Sequence, residues 1–143
     1  MLPLQIVIDT NVLVSALRSK RGASYRLLTL VGSDDRFQIN LSVPLVLEYE
    51  EVIMRPGAVG GLSESEISDV LNYLCLIGRR RKIFYLWRPY LKDPKDDMVL
   101  ELAVESGSSM IVTLNVSDFA GSETFGVSAV TPLEFLRSIG ELP

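Results

Sequence analysis

Short apolar segments alternate with amphipathic segments along the whole chain. The apolar segments are rich in β-branched residues, which is typical of strands buried on both faces of a sheet. They predict strands at LQIVI (4–8), FQINL (37–41), IFYLW (83–87), SMIVT (109–113) and FGVSAV (125–130). Apolar residues at helical spacing predict helices at 10–19, 23–32, 44–54, 63–78, 93–106 and 131–139. This alternation predicts an α/β fold, a three-layer α/β/α sandwich around a central parallel β-sheet.

Polar residues at the predicted helix starts support these boundaries. Thr10 or Asn11 is expected to cap the first helix, and Ser42 precedes a helix with proline in its first turn. Ser63 and Glu66 have the spacing of a capping box at the start of the longest helix.

Length and composition limit the fold further. The 143 residues (15.9 kDa) suffice for a single domain, 1–143, with one core. Hydrophobic residues make up 48% of the chain and the mean hydropathy is +0.27, so we expect some apolar surface to be covered in a homodimer. No apolar run reaches the roughly 18 residues of a membrane span, and the start MLPLQIVID does not resemble a signal peptide, so a cytoplasmic protein is expected.

The chain contains no histidine. This excludes serine–histidine triads, histidine-based ribonuclease chemistry and zinc sites built on histidine. The formal charge of −4 and the pI near 4.8 oppose binding to a phosphate backbone, so nucleic-acid binding would need local basic patches or bound cations.

Two acidic residues lie at or near positions where the pattern calls for burial. Asp9 follows the first predicted strand, at the carboxyl end where parallel sheets bind ligands, although it could instead cap the following helix. In the third predicted helix, Glu48 lies at the margin of the apolar stripe, whereas Glu50 and Glu51 lie farther out. That stripe consists of Leu45, Tyr49 and Val52.

The helix after Pro94 contributes a third acid. Its apolar stripe consists of Val99, Leu100 and Ala103. Asp96 lies one turn before the stripe on the same face, so it is predicted to point inward, unless it only caps the helix. Asp97, Glu101 and Glu105 are predicted to lie on the solvent face.

Asp118 follows the predicted strand SMIVT by a five-residue turn and could be either a turn residue or a fourth member of this set. Carboxylates brought together would repel one another unless a divalent cation lies among them. Oxygen ligands select Mg²⁺ or Mn²⁺.

Four motifs in order resemble the PIN-domain family over nearly the whole chain: VIDTNVLVSAL, SVPLVLEYEEVIMRP, KDPKDDMVLELA and IVTLNVSDF. The chain is especially similar to the VapC-like branch, the toxins of toxin–antitoxin pairs. The resemblance implies a metal-dependent endoribonuclease with catalytic residues Asp9, Glu48, Asp96 and Asp118. Asp9, Asp96 and Asp118 would hold one or two Mg²⁺ or Mn²⁺ ions, with Thr10, Asn11, Thr113 and Asn115 as supporting polar residues.

The resemblance also implies an RNA substrate and a cognate antitoxin partner. Two basic clusters are expected to contact RNA outside the acidic pocket: Arg18, Lys20 and Arg21, and the run Arg79, Arg80, Arg81 and Lys82. The chain departs from the family in two places. Leu114 stands where the family often has glycine, and Asn115 stands where many relatives have aspartate.

Three other functions compete with this one. A phosphoacceptor receiver domain also places acids at strand ends, but it needs a lysine after the last strand, and VSAVTPLEFL contains none. A catalytically weak PIN-fold module that binds RNA or an antitoxin is compatible with Leu114 and Asn115. An RNA-maturation nuclease would share the fold and the chemistry.

Overall fold

A computed structural model describes residues 2–83 and 90–143 of the chain. Its strands are β1 (Leu4–Ile8), β2 (Phe37–Leu41), β3 (Arg79–Arg80), β4 (Met110–Val112) and β5 (Ser128–Val130). Its helices are α1 (Thr10–Arg18), α2 (Ala23–Leu30), α3 (Val43–Ile53), α4 (Glu64–Ile77), α5 (Pro94–Glu105) and α6 (Pro132–Ser138). Two 3₁₀ helices, Val116–Phe119 and Ser122–Phe125, lie between β4 and β5.

The five strands form one parallel sheet in the order β3-β2-β1-β4-β5. The chain moves outward from β1 to β3 and then crosses to β4 on the other side of β1. Because such crossovers are right-handed, α5 lies on the opposite face of the sheet from α1 to α4. The predicted α/β/α sandwich is therefore confirmed.

This strand order places the first and fourth strands side by side at the centre of the sheet. Ile8 is in register with Val112, so the residues that follow them, Asp9 and Thr113, leave the sheet next to each other. The Asp9 amide donates to the Val112 carbonyl at 2.9 Å. Ligands bind where the strand order reverses in such sheets, and this reversal falls between β1 and β4.

The core is formed by the sheet and the apolar faces of the helices. Ile6 and Val7 of β1 and Leu100 and Ala103 of α5 are completely buried. Burial on both sides of β1 explains why its sequence is a continuous apolar run rather than an alternating one. No helix within the described ranges is long and apolar enough to cross a membrane.

The structure corrects two details of the predicted elements. The third described strand is Arg79–Arg80, within the basic run, at an edge of the sheet where charged residues are well tolerated. Of the strand predicted at 83–87, residue 83 is not in a strand and residues 84–87 lie outside the described residues. The side chain that caps α1 is that of Asp9, not Thr10 or Asn11.

Candidate active site

Asp9 lies at the junction of β1 and α1 and uses its two carboxylate oxygens differently. Its Oδ1 accepts the Thr10 backbone N–H at 2.9 Å, which caps α1, and its Oδ2 accepts the Thr113 hydroxyl at 2.8 Å. Asp9 is only 8% exposed. Asp9 therefore does cap α1, as the alternative interpretation held. The same carboxylate also accepts a hydrogen bond from Thr113, the residue that follows β4.

Thr113 and Asn11 hold the segment that follows β4. The Thr113 hydroxyl accepts the Asn115 backbone N–H at 3.0 Å and the Asn11 side-chain amide at 3.4 Å. The Asn11 Oδ1 in turn accepts the Leu114 backbone N–H at 3.1 Å. These bonds fix the first residues of this segment against the start of α1, close to Asp9.

Glu48 is oriented toward Asp9 by α3. The Thr10 hydroxyl donates to the Glu48 Oε2, and the side chain of Glu48 is half-buried while those of Glu50 and Glu51 are exposed. The inward placement predicted for Glu48 is confirmed. Sequence reasoning missed a contact made by its neighbour Tyr49, whose buried hydroxyl donates to the backbone carbonyl of Ile8.

Asp96 lies in the first turn of α5 and its surroundings strongly favour its protonated form. Burial, followed by four negative charges, raises its pKa from 3.8 to about 7. Those charges belong to Asp9, Asp118, Asp93 and Glu48. The capping role considered for Asp96 is filled by Asp93, whose Oδ1 accepts the Lys95 N–H at 2.9 Å.

Burial also raises the pKa of Asp9, although hydrogen bonds from Thr113 and Thr10 act in the opposite direction. The charges of Glu48 and Asp118 raise it further. Asp118 itself is exposed, in the 3₁₀ helix after β4. The four carboxylates predicted from separate parts of the sequence are therefore close enough to repel one another.

The prediction for the other face of α5 is wrong at two positions. Asp97 and Glu101 are buried, at 6% and 4% exposure, and only Glu105 is exposed. The Asp97 Oδ1 accepts the backbone N–H groups of Tyr90 and Leu91 at 3.1 and 2.8 Å. The chain leading into α5 thus folds back over the face on which Asp97 lies, and Asp97 holds it there, while Asp96 faces the other carboxylates.

The donor set fits a hard divalent cation. All four side chains offer carboxylate oxygens, the ligands that Mg²⁺ and Mn²⁺ prefer. Among residues 2–83 and 90–143, no three acidic or cysteine side chains form a ready-made cage for an ion. Burial, followed by the charges of neighbouring carboxylates, raises the pKa of both Asp9 and Asp96, and a cation bound among these carboxylates would offset their mutual repulsion.

The first basic cluster lies at the far end of α1. Arg18 is about 12 Å along the helix axis from Thr10 at the usual rise per residue. Its Nε donates to the Ala58 carbonyl at 2.6 Å, and Lys20 and Arg21 are exposed beyond it.

The members of the second basic cluster differ in exposure. Arg79, Arg80 and Lys82 are exposed at the sheet edge. The side chain of Arg81 is half-buried and its Nε donates to the Oδ1 of the buried Asn40 at 3.0 Å. Arg81 therefore anchors the edge strand to β2 as well as contributing charge.

Comparison with known proteins agrees with this geometry. No curated protein matches the chain. A family model described as PIN domain matches residues 5–117, a span that includes Asp9, Glu48 and Asp96 and ends one residue before Asp118. PIN domains are generally nucleases, and they typically bind divalent metals. The match covers well over half of the chain, and the chain therefore belongs to the PIN-domain family.

Proposed function

We propose that this protein is a metal-dependent endoribonuclease that hydrolyses phosphodiester bonds in RNA. The observation that carries the proposal is the convergence of Asp9, Glu48 and Asp96 with Asp118. Burial, followed by the charges of the neighbouring carboxylates, raises the pKa of Asp96 to about 7. Uncompensated carboxylates are costly to bring together, so their proximity indicates a site built for cations.

Asp9, Asp96 and Asp118 would hold one or two Mg²⁺ or Mn²⁺ ions, and Glu48 would complete the site directly or through water. The bound cation would lower the pKa of a water molecule and neutralise charge on the phosphate. Thr113 orients the Asp9 carboxylate and Thr10 orients that of Glu48. No histidine is required for this chemistry.

RNA would contact the protein outside the acidic pocket. Cations in the pocket would reverse its negative field and so overcome the unfavourable net charge of −4. Within the two predicted basic clusters, the exposed cations that could contact the RNA backbone are Arg18, Lys20, Arg21, Arg79, Arg80 and Lys82. Arg81 would contribute less, since its guanidinium is already bonded to Asn40.

The test is cleavage of 5′-labelled single-stranded and hairpin RNA by the purified protein with Mn²⁺ or Mg²⁺, and with EDTA. Cleavage is expected only with metal, and Asp9→Asn is expected to reduce it at least about 100-fold, because a ligand is lost. Asp35→Asn is the matched control, since Asp35 is exposed at the opposite end of the sheet. Equal cleavage by Asp9→Asn and Asp35→Asn would refute the site.

We further propose that the nuclease is the toxin of a type II toxin–antitoxin pair and forms a homodimer. Exposed apolar side chains on α3 and α4, including Val43, Leu47 and Leu76, support a covered surface. Induced expression in a bacterial host should arrest growth, and Asp9→Asn should relieve the arrest. An RNA-maturation nuclease would cleave RNA without arresting growth.

A catalytically weak RNA- or antitoxin-binding module is the second candidate. The neutral, exposed Asn115 beside Asp118 favours it, because one anionic ligand of many relatives is missing there. RNA binding by the purified protein without metal-dependent cleavage would support this function instead.

A further inference from the structure

Two consecutive residues of α3 bond to the chain on either side of Asp9. The Thr10 hydroxyl donates to Glu48, and the Tyr49 hydroxyl donates to the carbonyl of Ile8. Asp9 lies between the two bonded positions. The relative placement of Asp9 and Glu48 is therefore set from both sides by one turn of α3.

The Ile8 carbonyl lies at the end of β1, where Ile8 is in register with Val112 of β4 but is beyond the last residues paired with β2. Pairing between β1 and β2 ends at Ile6 and Ile39, two residues before Ile8. Ile8 is 7% exposed and Tyr49 is 2% exposed, so water has little access to this bond. A buried carbonyl needs a donor, and α3 supplies one through Tyr49.

We propose that Tyr49 is a positioning residue that fixes the end of β1, and with it the Asp9 carboxylate, relative to Glu48. The expected effect on metal binding rests on the proposed function. The hydrogen bond between Tyr49 and Ile8 does not depend on that function. Tyr49 does not touch substrate in this role. It acts through the backbone at Ile8 and through its position next to Glu48 in the helix.

The test compares two tyrosines that make the same kind of bond. Tyr49→Phe removes the hydroxyl that donates to Ile8, and Tyr73→Phe removes a hydroxyl of α4 that donates to the Val31 carbonyl at 2.8 Å. Three measurements are made on the full chain: Mn²⁺ affinity by calorimetry, amide hydrogen exchange at Asp9 and Thr10, and the urea unfolding midpoint.

Tyr49→Phe is expected to weaken Mn²⁺ binding about 10- to 100-fold, the usual effect of losing a residue that orients a metal ligand. It should also speed amide exchange at Asp9 and Thr10. Tyr73→Phe should change neither, even if its unfolding midpoint falls. A merely structural role would lower the unfolding midpoint of Tyr49→Phe and leave Mn²⁺ affinity unchanged.

The outcomes separate this inference from the proposed function. If the parent protein binds no Mn²⁺ but exchange at Asp9 and Thr10 is faster only in Tyr49→Phe, the metal site is wrong and the positioning role holds. If Tyr49→Phe matches Tyr73→Phe in both exchange and Mn²⁺ affinity, the positioning role is refuted.

Discussion

The Thr113 hydroxyl donates to the Asp9 Oδ2 at 2.8 Å, although the two residues are 104 positions apart in the sequence. Thr113 is completely buried, so this bond is not in competition with water. It joins the carboxyl ends of the two central strands at the point where the strand order reverses. The orientation of the Asp9 carboxylate therefore depends on β4 as much as on β1.

Removing the Thr113 hydroxyl should disturb Asp9 without removing a carboxylate. In Thr113→Val the Asp9 Oδ2 loses its donor and the Asn115 N–H loses its acceptor. We expect Mn²⁺ affinity to fall about 10- to 100-fold and the free energy of unfolding to fall by about 1–3 kcal/mol. Calorimetry and urea titration measure the two effects. Thr113→Ser keeps the hydroxyl and should restore most of both; a serine variant as impaired as valine would contradict the explanation.

Asp96 and Asp97 are adjacent in sequence, but Asp96 lies near other carboxylates whereas Asp97 accepts backbone N–H groups. Asp96→Asn should reduce RNA cleavage at least about 100-fold, because it removes a proposed metal ligand. Asp97→Asn keeps an acceptor oxygen for the N–H groups of Tyr90 and Leu91, so cleavage should change little. Initial cleavage rates with Mn²⁺ distinguish the two variants. The reverse pattern would show that Asp97 is the ligand.

The raised pKa of Asp96 predicts that the metal-free protein loses stability as pH rises. The folded state holds the Asp96 proton up to a pH of about 7, whereas the unfolded state releases it near 3.8. The stabilisation is complete below the unfolded pKa and is lost as pH rises through about 7. The raised pKa of Asp9 acts in the same direction.

Thermal unfolding with EDTA tests this between pH of about 5 and about 8. The melting temperature of the parent protein should fall relative to that of Asp96→Asn, which carries no titrating group at this position. Mn²⁺ should oppose the fall, because metal binding favours the deprotonated carboxylate. Parallel pH profiles for the two proteins would contradict the prediction.

A substitution at Asn115 is expected to strengthen Mn²⁺ binding, whereas the substitutions above are expected to weaken it or to leave it unchanged. It is exposed and follows Thr113 in the segment that leads to Asp118, so a carboxylate should be accommodated there. Asn115→Asp is expected to tighten Mn²⁺ binding several-fold, roughly 1 kcal/mol, by adding a negative charge near the cation. Calorimetry measures the change. Ser117→Asp, an exposed position in the same segment, controls for general charge, and equal tightening by both variants would show that Asn115 has no specific role.

Local sequence patterns were sufficient to predict most of the fold. The β-branched run of β1 and the capping box of Ser63 and Glu66 at α4 depend on neighbouring residues alone, and both are present in the structure. The inward placement of Glu48 and Asp96 follows from helical periodicity. Glu48 is half-buried, and Asp96 is near the negative charge of Asp9.

Whether a polar face of a helix is exposed or covered depends on distant parts of the chain. Periodicity distinguished the Asp96 face of α5 from the Asp97 face, but it could not show that the chain at Tyr90 and Leu91 folds back over Asp97. For the same reason Arg81 was expected to be a surface cation, whereas it is bonded to Asn40 in β2.

The sequence by itself therefore determined most of the elements, their order and the inward placement of Glu48 and Asp96, because these follow from propensity, capping and periodicity over a few residues. Only the tertiary structure decided which groups meet at the site. Thr113 orients Asp9 because the strand order places β4 beside β1, and Tyr49 reaches the Ile8 carbonyl because α3 packs at the end of β1. Contacts between residues tens of positions apart have no local signal, since they arise from the packing of whole elements.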